Sequence, residues 1–337
     1  METPPTALIS CKILTMNKKV NKVGLIACSN VAEKRFIPAL KGIPNLELYA
    51  AGSSSNNKAK DFCIRNNIKK LCTYDDILND ENIDIVYIST PVTLHEELSV
   101  KALKQNKHVL CEKPSALSFK SAEKIIEESK INNKVFLQGF MFQFHPQYEY
   151  VKNILERGEI GKIKQIISSF NYPKPKEGNI RLNKSLNGGV FWDSFGYPLF
   201  LSLMLDKTNV HSISSKRKID KILEIDTAVE SRLIFDSGVE SYISASFSDN
   251  YTSESIIVGS DGYVKIKRSF SVNKDYTCEV TTISGKDKNT KYIEPVDQFQ
   301  LMIENFIQSI SDLELRNENN SNFLRFHKLL EKINQSF

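Results

Sequence analysis

Between Lys22 and Gln138 short apolar runs alternate with amphipathic stretches, and this rhythm limits the possible folds more than any other feature of the chain. Strands that read apolar on both faces, separated by segments of helical periodicity, require a parallel sheet covered by helices on both sides. Strands are expected at residues 23–27, 46–51, 83–89, 109–110 and 135–138, and helices at 31–40, 59–66, from 74 onward, 96–105 and 118–131. Asp75 and Asp76 fall in the first turn of one such helix, where acids are favoured by the helix dipole, a simpler reading than a catalytic carboxylate pair.

Beyond residue 140 the grammar changes. Residues 163–172, 228–235, 239–247 and 263–267 alternate with period two, and Val239, Ile243, Ala245 and Phe247 share one parity. That pattern predicts an antiparallel sheet with one covered face, punctuated by turns at Asp236-Ser237-Gly238 and Ser260-Asp261-Gly262. Helices close the chain near 298–310 and 322–333. The expected organisation is a disordered or non-native extension over 1–20, a parallel-sheet unit over 21–139, and a unit built on an antiparallel sheet over 140–337.

Composition narrows the function. The 337 residues are 41% hydrophobic and 25% charged, which suits a globular chain and argues against wholesale disorder. Forty-five basic and 40 acidic side chains leave a net charge of +5 without any basic run, so neither nucleic acid nor a membrane surface is an expected partner. No apolar run is long enough to span a bilayer. The cysteines Cys11, Cys28, Cys63, Cys72, Cys111 and Cys278 lie far apart with no CxxC pair, and read as reduced thiols of a cytoplasmic protein. No metal site is expected: His95-Glu96-Glu97 begins like HExxH, but the fifth position is Ser99.

Four segments are candidates for chemistry. The first strand runs into Ala27-Cys28-Ser29-Asn30-Val31-Ala32, where a dinucleotide-binding turn would carry GxGxxG or GxGxxA. Ala27 and Ser29 replace two glycines, and both are small enough for the backbone to approach a phosphate, provided neither needs positive φ. After the second strand, Gly52-Ser53-Ser54-Ser55 offers no acid to a ribose and has Lys58 nearby, so a 2′-phosphate is tolerated. Glu112-Lys113-Pro114 follows the strand ending at Leu110, at the carboxyl edge where open α/β sheets bind ligands. The fourth segment is residues 188–198 (GGVFWDSFGYP), in which Asp193 and Tyr197 share a face if one helix carries both, a condition that Pro198 makes dependent on a kink.

Together these segments resemble the Gfo/Idh/MocA oxidoreductases over nearly the whole chain from Lys22 onward. Glu112-Lys113-Pro114 is similar to the family's EKP signature, residues 139–147 (GFMFQFHPQ) to its GFMxRFHP segment, and residues 188–198 to its GG-to-D-x-x-x-H/Y segment. The resemblance implies an N-terminal dinucleotide-binding Rossmann domain over 21–139, followed by a substrate-binding and oligomerisation α+β domain over 140–337 with an open, mostly antiparallel sheet. Tyr197 with Pro198 is similar to the tyrosine-containing branch of dihydrodiol and sugar dehydrogenases and nucleotide-sugar 3-ketoreductases, and residues 28–40 (CSNVAEKRFIPAL) look most like the ketoreductase group. Departures are Ala27, Ser54 where NADP users of the branch often have arginine, and Gln143 in place of the arginine of RFHP.

What the resemblance implies is reduction of a keto-sugar, nucleotide-linked or free, with NADP(H) favoured and NAD(H) possible. Tyr197 is then the proton donor, with Lys113 beside it favouring tyrosinate and Asp193 holding the lysine or a sugar hydroxyl. The implied cofactor contacts are Ala27, Cys28, Ser29, Asn30, Val31, Ser53, Ser54, Lys58, Thr90, Pro91, His95, Glu112 and Lys113. Tyr172, Lys174 and Arg181 are candidates for the diphosphate and base of a nucleotide. An open sheet face suits a homodimer or homotetramer. Other readings of the same features are a free-sugar or dihydrodiol dehydrogenase, a non-catalytic dinucleotide-binding regulator, and an NAD-dependent glycoside hydrolase.

Overall fold

A computed structural model of the chain describes residues 20–54, 56–247 and 250–337, leaving aside the side chains of residues 56–58. The expected extension therefore lies outside the described residues except for Val20, as do Ser55 and the Lys58 side chain.

The five apolar runs and a short edge strand that was not expected, β3, form six parallel strands: β1 (Asn21–Ile26), β2 (Leu46–Gly52), β3 (Lys70–Cys72), β4 (Ile85–Ile88), β5 (His108–Cys111) and β6 (Phe136–Gln138). Their order is β3-β2-β1-β4-β5-β6, the doubly wound arrangement whose switch point lies between β1 and β4. Helices α1 (Ile37–Lys41), α2 (Asn56–Asn66), α3 (Tyr74–Asn79), α4 (His95–Lys104) and α5 (Phe119–Ile131) provide the crossovers. Ahead of α1 the helix widens into a π turn at Ala32–Phe36, next to Pro38, which has no N–H for an ordinary helical bond. Asp76 takes the ordinary role: its carboxylate accepts from Thr73 N at 2.9 Å while Thr73 Oγ1 caps Asp76 N, a capping box at the start of α3.

The second half builds an eight-stranded sheet from β7 (Ile163–Tyr172), β8 (Val210–Asp220), β9 (Ile225–Phe235), β10 (Glu240–Phe247), β11 (Thr252–Gly259), β12 (Gly262–Lys267), β13 (Cys278–Ser284) and β14 (Asp287–Ile293). Every pairing is antiparallel except β7 with β10. Along β10 the pattern is the expected one: Ser241, Ile243 and Ala245 are buried, whereas Tyr242 faces solvent. Helices α6 (Pro146–Glu156), α7 (Val190–Asp193) and α8 (Gly196–Leu205) join this half, and α8 packs on β7 and β10. The closing helices α9 (Gln298–Ser311) and α10 (Leu313–Gln335) tie the halves together. Phe323 of α10 packs on Phe136 of β6 with centroids 4.9 Å apart, and His327 reaches Gln138 at the end of the same strand.

Candidate active site

The carboxyl ends of β1, β2, β4 and β5 converge at the switch point, where a parallel sheet opens its ligand crevice. Directly after β1, Ala27 has φ of +83°, so the first fingerprint position does require positive φ, contrary to the condition set by its side chain. Its N–H donates to Gly52 O at 3.1 Å, and its carbonyl accepts from Ser89 Oγ at 3.3 Å. The second replaced glycine is spent differently. Ser29 Oγ caps the helix by accepting from Ala32 N at 3.1 Å and donates to Ser89 Oγ at 2.7 Å. Asn30 and Val31 form the first turn, whose N–H groups lack intrahelical acceptors and so face an anion naturally. Cys28 Sγ lies 3.8 Å from Gly52 O, and burial pushes its thiol up to about 11, so it is no nucleophile.

Other cofactor candidates divide. Ser53 and Ser54 follow β2, and no carboxylate stands among residues 52–54. Thr90, after β4, is 7% exposed, yet its Oγ1 has no partner among the described residues. A buried orphan hydroxyl beside the crevice, a free helix N-terminus and a tight turn all fit a dinucleotide. His95 does not serve as a cofactor contact. Its Nδ1 lies 2.8 Å from Pro114 O and its Nε2 2.8 Å from Thr90 O, so a buried ring braces Thr90 and Pro91 against the lysine turn. Burial pushes this imidazole's pKa down, and a neutral ring donates to one carbonyl while resting against the other.

The lysine turn is held from its opposite edge as well. The peptide linking Pro114 to Ser115, whose oxygen meets His95, gives its N–H to Gln138 Oε1 at 2.9 Å. That oxygen lies 2.8 Å from His327 Nε2, and because it can only accept, His327 must donate. Lys113-Pro114, a cis peptide, is thus fixed by one histidine from α4 and, through Gln138, by another from α10. Sequence reasoning missed the second histidine, which has no local motif.

Lys113 Nζ donates to Asp193 O at 2.5 Å and lies 3.3 Å from Asp193 Oδ1. The other carboxylate oxygen receives Arg181 Nε at 2.9 Å and the hydroxyl of Tyr172. Burial opposes this charge, but Lys113 and Arg181 outweigh it and hold the Asp193 carboxyl well below the usual range. Tyr172 and Arg181 are therefore committed to Asp193 rather than to a diphosphate, and Lys174 pairs with Asp220 at 3.2 Å. Asp193 and Tyr197 do not share one helix. Because Pro198 cannot donate to Ser194 O, α7 ends at Asp193 and α8 restarts at Gly196, putting Pro198 in a first turn where no N–H is needed.

Tyr197 is 6% exposed, and Lys113 Nζ sits 5.1 Å from its ring centroid, over the face and not at the hydroxyl. Burial, then Glu112 and Asp193, push the phenol well above its usual range. Where the sequence led to the expectation that Lys113 favours tyrosinate, burial favours the protonated phenol. Among the described residues its hydroxyl has only a thioether partner, Met141 Sδ at 3.8 Å. Glu112 accepts from Tyr87 at 2.6 Å, and burial raises its carboxyl. Gln143, in place of arginine, turns back on Phe140 O at 3.2 Å.

The chain is similar to known proteins over nearly its whole length. Over 313 residues the chain is 28% identical to the dTDP-3,4-didehydro-2,6-dideoxy-α-D-glucose 3-reductase of Actinomadura kijaniata, covering 93% of this chain and 94% of that protein. The crystal structure of a 3-ketoreductase from the same organism in complex with NADP and TDP-benzene superposes with a TM-score of 0.89 at 26% identity, over 94% of this chain and 97% of that one. A D-xylose 1-dehydrogenase (NADP+) from Haloferax volcanii is 24% identical over 85% of this chain and 88% of its own. Residues 21–140 match the oxidoreductase family with an NAD-binding Rossmann fold, and residues 148–265 match the GFO/IDH/MocA C-terminal domain. With both halves matched in order, the chain belongs to the Gfo/Idh/MocA family of NAD(P)-dependent oxidoreductases.

Proposed function

We propose that this enzyme uses NADPH to reduce a nucleotide-linked keto-sugar, with residues 21–139 holding the dinucleotide and 140–337 the sugar. The observation that carries the reading is the neutral Tyr197 hydroxyl, buried beside Lys113 with, among the described residues, only a weak thioether acceptor. When bound, the nicotinamide supplies the hydride to the carbonyl carbon. Tyr197 gives its proton to the sugar oxygen. Lys113 has three N–H donors, two of them directed at Asp193, and the third polarises the same oxygen. Asp193 acts through Lys113, fixing the ammonium while Arg181 and Tyr172 share its charge. The turn at Ala27, the first turn at Asn30 and Val31, and the Thr90 hydroxyl hold the cofactor, and the absence of an acid at residues 52–54 favours the 2′-phosphate form.

Two relatives support the substrate class: the nucleotide-sugar reductase and the ketoreductase solved with NADP and TDP-benzene. The reading extends to a cytoplasmic homo-oligomer. It is supported by five free cysteines among the described residues and by a sheet face that leaves Ile167 and Tyr242 exposed. No helix among the described residues is long and apolar enough to cross a membrane.

The test is the absorbance of reduced nicotinamide, with NADPH and matched nucleotide-linked and free keto-sugars. Wild-type protein should oxidise NADPH with the linked substrate, and Tyr197→Phe should lower kcat about 10²- to 10⁴-fold with cofactor affinity nearly unchanged. Wild-type turnover by the phenylalanine variant would remove Tyr197 from the chemistry. No net oxidation would favour a sensor, or a glycoside hydrolase if product still formed.

A further inference from the structure

With Tyr172, Lys174 and Arg181 already paired, an anionic substrate needs another cation near Tyr197. Arg268 follows β12 at φ of +59°, with its guanidinium over two phenol rings, 4.4 Å from the Tyr251 centroid and 5.4 Å from that of Tyr276. Among the described residues its N–H groups have no hydrogen-bond or ion-pair partner. Stacking occupies the faces of a guanidinium and leaves its edge, which matches a phosphate with two parallel bonds.

The group is wired to the reaction centre. Gln147 Nε2 donates to Arg268 O at 3.4 Å and Ser269 O at 3.2 Å, the Tyr148 hydroxyl also donates to Ser269 O, and Ser269 N donates to Ser253 O at 2.8 Å. Two residues on, the Phe270 ring lies 5.8 Å from Tyr197, and one ring, Phe170, separates Tyr197 from Tyr251. Tyr251 is close enough to add to the upward shift of the Tyr197 phenol and is 40% exposed, so this side of the site opens to solvent. In a nucleotide sugar the diphosphate leaves the ring at the anomeric carbon, two ring carbons from C3.

We infer that Arg268, held over the rings of Tyr251 and Tyr276, recognises the diphosphate of a nucleotide-linked substrate whose sugar reaches Tyr197. The inference rests on the proposed substrate class, and the test separates the two. Thymidine diphosphate, uridine diphosphate and NADPH are titrated separately into wild-type protein, Arg268→Lys and Arg268→Gly; glycine suits the positive φ and keeps the turn intact. A lost charge-assisted pair should weaken nucleoside-diphosphate binding about 10- to 100-fold in Arg268→Gly and raise KM for the linked sugar similarly. The lysine variant should fall between, and kcat and NADPH affinity should hold. Unchanged diphosphate binding in Arg268→Gly, with the wild type still preferring linked over free sugar, overturns the role of Arg268 alone. A loss confined to NADPH moves the residue to the cofactor and overturns it too. A wild-type enzyme that binds neither diphosphate and turns over free sugar equally well overturns the substrate class itself.

Discussion

Replacing Ala27 by glycine should make the protein more stable and tighten its hold on NADPH, although the change deletes a methyl group. Ala27 sits at φ of +83°, fixed there by Gly52 O on its N–H and Ser89 Oγ on its carbonyl. A non-glycine residue in this region costs about 1–2 kcal/mol in the folded state. Glycine removes that strain but gives the unfolded chain more freedom, worth about 0.4–1 kcal/mol in the opposite direction. The net expectation is a gain of about 0.5–1 kcal/mol. Spread over a chain of 337 residues this moves the melting temperature by only about 1 °C, so the midpoint of urea unfolding at fixed m is the better measure. The cofactor arm is separate: glycine meets the positive φ of the tight turn without strain, and a relaxed turn leading into the helix N-terminus that would face the pyrophosphate should lower the Kd for NADPH. Ala27→Val serves as the opposing control, since a branched side chain at positive φ should cost more than alanine does. A glycine variant less stable than wild type by more than about 0.5 kcal/mol would refute the strain argument, and one that binds NADPH more weakly would refute the cofactor argument.

Asp193→Asn keeps the shape but leaves Lys113 and Arg181 without their shared anion. A cost of about 2–4 kcal/mol is expected, less than for a fully buried pair because Arg181 reaches solvent, together with a fall in kcat as Lys113 loses its anchor. Unaltered urea midpoint and kcat would show that the carboxylate is not what holds the ammonium. The histidines set the acid limit. Burial lowers His108 and His145 to about 4 and His327 to about 3, so the folded state keeps them neutral while unfolded chains protonate near 6.5. This stability is complete above pH 6.5 and is lost as pH falls toward the folded values, by up to about 2 kcal/mol per histidine at pH 5. A urea midpoint that stays flat between pH 7 and pH 5 would contradict the burial argument.

The parallel sheet was legible because its inner strands carry short apolar runs, such as Val23 to Ile26 and Ile85 to Ile88, and the lysine turn because it directly follows one of these strands. β8 and β14 were not legible, since they are the two edges of the second sheet. Lys216, Arg217 and Lys218 on one and Lys288 and Lys291 on the other put charges where a sheet avoids pairing with another chain, and the alternation that reveals a strand is lost. The catalytic candidates were found as types and spacings, but the contacts among them were not. Asp193 and Tyr197 meet Lys113 across 80 and more residues, and the proline that was read as a kink instead splits the helix, moving the lysine from the phenol oxygen to the ring face. A change of that size reverses the electrostatics, from a cation that lowers Tyr197 to burial and two carboxylates that raise it. His327 illustrates the same limit from further away. It reaches the lysine turn through Gln138 only because α10 folds back onto β6, and the hydrogen bond it donates is dictated by an amide orientation that Ser115 N fixes in turn. Local periodicity determines which residues can stand at the end of a strand. The hydrogen-bond direction of a peptide clamped between two helices distant in sequence is decided only when both helices have docked.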